Sequence, residues 1–155
     1  GFIEDEVWKP IIMPQYTATG YEISQYGNVV GKMGHKMKWT KGTRTNGYPS
    51  VGMSLREGDY IGDYIPQKQY ATEKTVKIPQ RNAVHRFVAE MFLPKPIPLC
   101  FSQLWPTLNK KQRDWIQSVY VVDHIDNDST NPHVDNLRWV TTRQNNKWVK
   151  AAKDY

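Results

Sequence analysis

Residues 121–148 constrain the fold more than any other stretch of the chain. They read Val-Val-Asp123-His124-Ile-Asp-Asn-Asp-Ser-Thr-Asn131, then Pro-His-Val-Asp-Asn136-Leu-Arg138-Trp-Val-Thr, then Thr142-Arg-Gln-Asn145-Asn-Lys-Trp148. An apolar run ends on an Asp-His pair, a polar turn follows, and a second short apolar run leads into an amphipathic segment. Thr142 is a suitable N-cap for that segment, in which Asn145, Trp148, Val149 and Ala152 share one face. The pattern predicts strand, loop, strand, helix. Successive strand side chains alternate between faces, so Asp123 and His124 cannot both address the helix from a regular strand. The pair is therefore expected where the first strand ends and the backbone turns. Asp126, Asn127 and Asp128 are the residue types that make such a turn. Asp126-x-Asp128-x-Thr130 opens like a calcium loop, but Asn131 stands where an EF-hand needs Gly and Leu137 where it needs Glu.

The rest of the chain reads as strands first and helices later. Residues 6–10 are a lead-in segment. Residues 21–24 alternate as a strand, Tyr26-Gly27-Asn28 is a turn, and Val29-Val30 begins a return strand. A short strand is expected over residues 36–40, and Asn46-Gly47 is a hairpin turn that sets Val51, Met53 and Leu55 on one face of the next strand. Residues 57–73 show no period, and residues 74–79 can form another strand. Val84, Phe87, Val88, Met91 and Phe92 make one apolar stripe at helical spacing, and Pro94 ends that helix. A second helix over residues 107–118 would turn Leu108, Trp115 and Ile116 inward and Lys110, Lys111 and Arg113 outward. The fold class is α+β, with a small N-terminal antiparallel sheet and a helix before the 121–148 motif.

Charge is unevenly distributed over the 155 residues. The net charge is +6, and residues 31–56 carry Lys32, Lys36, Lys38, Lys41, Arg44 and Arg56 without a single acid. Such a block is an electrostatic footprint for phosphate. The lone cysteine, Cys100, excludes an internal disulfide and a Cys-x-x-Cys zinc site. No signal peptide and no apolar run near membrane length is present, so a cytoplasmic protein without a membrane partner is expected.

Phosphodiester hydrolysis needs a base for the attacking water, a cation against the charge that builds on phosphorus, and stabilisation of the leaving oxygen. Neutral histidine is a suitable base near neutral pH. A hard cation takes oxygen ligands, and Asp123 and the Asn145 amide can supply them.

Asp123-His124, Asn136 and Asn145, with the text between them, resemble the HNH nucleases of the ββα-metal (His-Me finger) class. Asparagine in the third motif position is typical of phage and intron-encoded, homing-endonuclease-like members. Val84-His85-Arg86-Phe87-Val88-Ala89-Glu90-Met91-Phe92 resembles the helix before the motif in these enzymes. Glu6-Val-Trp-Lys-Pro10 and Tyr21-Glu-Ile-Ser-Gln-Tyr-Gly-Asn-Val29 resemble the small DNA-binding module that accompanies it. The cysteine pairs that hold a structural zinc in other HNH subfamilies are absent, so packing must hold the fold.

The resemblance implies a ββα-metal motif, with residues 1–80 as a β-rich DNA-binding module and 81–155 as the nuclease domain. It implies His124 as general base, Asn136 as the residue that ties the loop and aims it, and Asp123 and Asn145 as ligands of one divalent cation, Mg2+ or Mn2+. Double-stranded DNA is the implied partner of a monomer or homodimer, possible phage origin included. Lys32, Lys36, Lys38, Lys41, Arg44, His85, Arg86, Arg138, Arg143 and Lys147 are the expected DNA contacts. Two alternatives stay open at this point: a DNA-binding protein with a vestigial HNH site, and a structure-specific or RNA nuclease.

Overall fold

The structure is a computed structural model in which residues 5–41, 48–59, 75–77 and 83–142 are described. Alternation builds its first layer. Strands β1 (Trp8–Ile12), β2 (Thr17–Ser24) and β3 (Val29–Val30) form an antiparallel sheet in the order β1-β2-β3. Ile11, Ala18, Tyr21, Ile23 and Val29 are buried. The 6–10 lead-in segment is in fact mostly strand. Pro10 hides it from a sequence reading because proline lacks the N–H a ladder uses. Here Pro10 lies on an edge strand at an irregularity, where the register with β2 shifts between Pro10 and Ile11, a place that tolerates proline.

Two further pairs extend this layer. β4 (Thr40–Lys41) runs antiparallel to β5 (Pro49–Ser50), and β6 (Ser54–Arg56) to β7 (Thr75–Lys77). The strand expected over residues 36–40 is shorter than its pattern: Lys36 makes one isolated bridge to Val30, and regular pairing starts at Thr40. The Asn46-Gly47 turn lies outside the described residues. Val51, Met53 and Leu55 are buried, as their alternation predicts.

Helix α1 (Val84–Phe92) closes over these strands. Val84, Phe87 and Val88 of its stripe are fully buried, while Met91 and Phe92 pack at the margin of the core. Ser50 bridges Ala83 immediately before the helix, so β5 leads directly to its N-terminus. The same core takes in Leu137 from the 121–148 motif, so one continuous apolar cluster supports the N-terminal strands, α1 and the motif. Helix α2 (Lys110–Gln117) is opened by a capping box between Asn109 and Gln112. Its orientation differs from the sequence expectation. Trp115 is 78% exposed, and Arg113 turns inward to donate from Nε and Nη2 to the Trp105 carbonyl. Helical period identifies an apolar stripe but not whether a partner surface covers it. Among the described residues no helix is long and apolar enough to cross a membrane.

Strands β8 (Tyr120–His124) and β9 (Leu137–Thr141) form the antiparallel hairpin predicted for the motif, with His124 opposite Leu137 and Asp123 opposite Arg138. The helix expected from Thr142 onward lies outside the described residues. The β2–β3 turn seats this hairpin. Gly27 adopts φ +86°, a conformation that glycine takes without steric cost. An added Cβ there would lie 2.6 Å from Pro132 Cγ and 3.1 Å from Val84 Cγ1. Val134 donates its N–H to the Gln25 carbonyl at 2.9 Å beside this contact.

Gly27→Ala should therefore cost on the order of 1–3 kcal/mol from backbone strain alone, with the clash added. Gly20, at φ +87°, shares the backbone strain, but its added Cβ would meet only Lys32 Cγ, at 2.6 Å, on an exposed side chain that can turn aside, so it serves as the comparison. Thermal unfolding should show Gly27→Ala several degrees below Gly20→Ala; equal melting temperatures would show that the Pro132 contact carries no stability.

Candidate active site

The site is built around a loop that turns on one side chain. Asn136 is buried, and its amide reaches across the ten residues back to Asp126. Its Oδ1 accepts from the Asp126 N–H at 3.0 Å, and its Nδ2 donates to Asp126 Oδ1 at 2.8 Å and to the Asn131 carbonyl at 3.0 Å. The Asn136 carbonyl also accepts from the Ile125 N–H at 2.7 Å, one residue after His124. Both ends of the loop are thereby locked together directly behind the Asp-His pair.

The acidic residues of the loop serve the turn. Asp126 Oδ1 accepts from the Asp128 N–H, and Asp128 Oδ1 accepts from the N–H and hydroxyl of Thr130. These bonds favour the ionised forms. The Asp128 N–H, followed by the Asn136 amide, holds the Asp126 carboxyl below its ordinary range, and Thr130 does the same for Asp128. Asn127 takes φ 62° at the turn, a left-handed conformation that asparagine tolerates.

His124 closes strand β8 and is buried at 7% exposure. Its ring is packed among two other rings. Tyr48 stacks on it with centroids 5.6 Å apart and planes 16° apart, and His85 of α1 lies 4.9 Å away at a 58° tilt. Tyr48 also touches His85, at 4.7 Å. Burial lowers the His124 pKa from its ordinary value, while Asp123, Asp126 and Asp128 pull in the opposite direction. A neutral imidazole results, which is the form a base requires.

Asp123 lies beside His124 on the other face of β8, with its side chain mostly covered. Arg138, directly opposite on β9, donates from Nε to Asp123 Oδ2 at 2.8 Å. The structure thus brings Asp123, His124, Asn136 and Arg138 into one hairpin. His85, expected at a phosphate, is instead buried at 6% exposure, because its position on α1 faces the motif rather than solvent. Arg86, Lys32, Lys36 and Lys38 are exposed, with Lys32 Nζ donating to the Ser54 carbonyl. Asn145, Arg44, Arg143 and Lys147 lie outside the described residues, as does the side chain of Lys41. Tyr48 was not legible as a site residue: nothing in its local pattern marks it, and only the pairing of β5 beside α1 delivers it. Asp126 was legible as a turn former but not as the partner of Asn136.

The donors present suit a hard divalent ion that keeps much of its own water. Asp123 offers a carboxylate, and the Asn145 amide is a further oxygen by type. Among the described residues no group of three or more His, Cys, Asp or Glu side chains could enclose a metal, so a closed structural zinc site of that kind is absent there.

Residues 82–147 match the family model described as HNH endonuclease. The fold is similar to that in a solved structure of DNA binding and cleavage by the HNH homing endonuclease I-HmuI, with a TM-score of 0.55 and 23% sequence identity. That similarity covers 96% of this chain and 60% of the other, so the chain spans about three-fifths of that protein's length. No curated protein matches the chain. Residues 82–147 are therefore similar to the HNH endonuclease family, and the chain has a fold similar to that of an HNH homing endonuclease.

Proposed function

We propose that the protein is a metal-dependent DNA endonuclease in which His124 is the general base. The observation that carries this reading is the buried, neutral-leaning His124 at the mouth of a loop fixed by the three side-chain hydrogen bonds of Asn136. His124 removes a proton from water as the oxygen attacks phosphorus, and the imidazolium formed is offset by Asp123, Asp126 and Asp128, which lie close enough to raise its proton affinity. Asp123 and Asn145 would hold one divalent cation, Mg2+ or Mn2+. When bound, the ion supplies positive charge to the phosphate oxygens and to the leaving oxygen. Arg138 fixes Asp123 through one carboxylate oxygen and adds a second positive charge on the same face of the hairpin. Asn136 acts through the loop and does not touch substrate.

Residues 1–80 serve as the DNA-binding module and 81–155 as the nuclease domain. Support comes from the acid-free basic block of residues 31–56 and from Tyr48, which lies within that block and packs on the His124 ring. Exposed Lys32, Lys36, Lys38 and Arg86 contact the backbone, with Lys41, Arg44, Arg143 and Lys147 assigned the same role by charge. One site per chain nicks one strand; two-strand cutting requires a homodimer or two visits.

Supercoiled plasmid incubated with Mg2+ should be nicked by the parent chain. His124→Ala should lower turnover by on the order of 10²- to 10⁴-fold, the usual worth of a general base. A variant that cuts like the parent would refute the assignment. Chelation should abolish cleavage and added Mg2+ or Mn2+ should restore it, with Asp123→Asn shifting the half-saturating metal concentration upward; activity indifferent to chelation removes the metal from the reading. Asn136→Ala should lower turnover with little change in DNA affinity, since it loosens the aim of His124 and leaves the basic surface intact. Parallel digestion of duplex DNA, single-stranded DNA and RNA identifies the substrate, and preference for RNA would overturn the DNA reading.

A further inference from the structure

The reading above uses His124 and leaves its neighbour unexplained. His85 is a titratable side chain buried on α1, and nothing in the general-base reading requires an imidazole there. Two nitrogens stand out around it. Nδ1 of His85 and Nε2 of His124 are both buried without a hydrogen-bond partner among the described residues. Buried polar atoms are rarely left so, and here two of them belong to rings whose centroids are 4.9 Å apart. At that separation facing ring nitrogens come within hydrogen-bond reach by ring rotation. Tyr48, packed on both rings, shields them from water.

The pairing has a chemical consequence. A neutral imidazole carries one N–H and one acceptor nitrogen, and a base must present the acceptor to water. Nε2 of His124 is enclosed in the protein, so Nδ1 is the nitrogen left for substrate. Nε2 must then hold the proton, and a buried N–H needs an acceptor. We propose that His85 is a positioning residue for the base: its Nδ1 accepts the Nε2 proton of His124, fixing the tautomer whose Nδ1 takes a proton from water. This rests on the reading of His124 as base. When Nδ1 of His124 takes the water proton, the hydrogen bond from Nε2 persists and strengthens, because its donor is now cationic. His85 keeps its own single proton on Nε2 throughout and gains none. Burial, with His124 and Arg86 nearby, holds His85 down to about pKa 3, so it stays a neutral acceptor wherever the enzyme is folded and active. A purely structural residue at this position would do better as an apolar side chain.

That contrast gives the test. His85→Phe, His85→Asn and His124→Ala are compared with the parent for nicking of supercoiled plasmid with Mg2+, and for melting temperature. His85→Phe should lower kcat at least about tenfold, since a base in the wrong tautomer is a poor one. Its KM for plasmid should hold and its melting temperature should hold or rise. His85→Asn, whose amide oxygen is an acceptor, should recover much of the loss. The proposal is overturned if folded His85→Phe keeps parental kcat, or if His85→Asn is no better than His85→Phe. Should the phenylalanine variant not fold, long-range 1H–15N spectra of the parent decide: an Nε2–H tautomer at His124 supports the proposal, and an Nδ1–H tautomer refutes it. Full activity in His124→Ala would instead sink the base reading itself, whereas an inactive His124→Ala beside a fully active His85→Phe would sink only the role of His85.

Discussion

Everything near the Asp-His pair depends on the amide of Asn136. One side chain satisfies a backbone N–H, a carboxylate and a backbone carbonyl, and so closes a ten-residue excursion without disulfide or metal. Each bond contributes modestly by itself, about 0.5–1.5 kcal/mol net. Their effect lies in geometry, because the two strand ends enter the loop at fixed positions and His124 sits on one of them. Asparagine is suited to this because it donates and accepts at once. Aspartate would set a second carboxylate against Asp126, and an apolar residue would remove the partner of the Asp126 N–H and of the Asn131 carbonyl and untie the loop.

The loop in turn depends on a core to which the N-terminal strands contribute. Gly27 permits a turn so close to Pro132 that any side chain would collide, and Gln25 receives the Val134 N–H beside it. The hairpin is thus seated on the strands as well as on α1. A hairpin of two five-residue strands would be marginal in water by itself. Shared burial lets a short motif hold a buried histidine, whose loss of hydration is a cost that packing of Phe87, Val88 and Leu137 offsets.

What the sequence disclosed follows from the range of the forces involved. The strand–loop–strand of the motif was legible because each residue's role depends on near neighbours: turn-forming acids, alternating Val and Trp, and an asparagine at fixed spacing from His124. The α1 stripe was legible for the same reason, as helical period needs only the residues of one segment. β1 was not, because Pro10 breaks the local pattern and only pairing with β2 makes the segment a strand. Trp115 was misplaced because an amphipathic period does not report which face meets the rest of the molecule. His85 was legible as belonging to the motif's helix but not as a neighbour of His124. Tyr48 was invisible in any local pattern, since it meets His85 and His124 across long stretches of chain.

The Tyr48 contact bears on how substrate binding and chemistry are joined. It stands immediately before β5, the strand that bridges Ala83 at the start of α1. Lysine and arginine side chains attract phosphate over a distance set by screening, about 10 Å at moderate salt, and so cannot define where a single bond is cut. An aromatic ring packed on the base works at van der Waals range and can. A charged segment alone acts only at screened, long range; joined to α1 through the Ser50–Ala83 bridge and to the His124 ring through Tyr48, this one is also tied to the motif by direct contact.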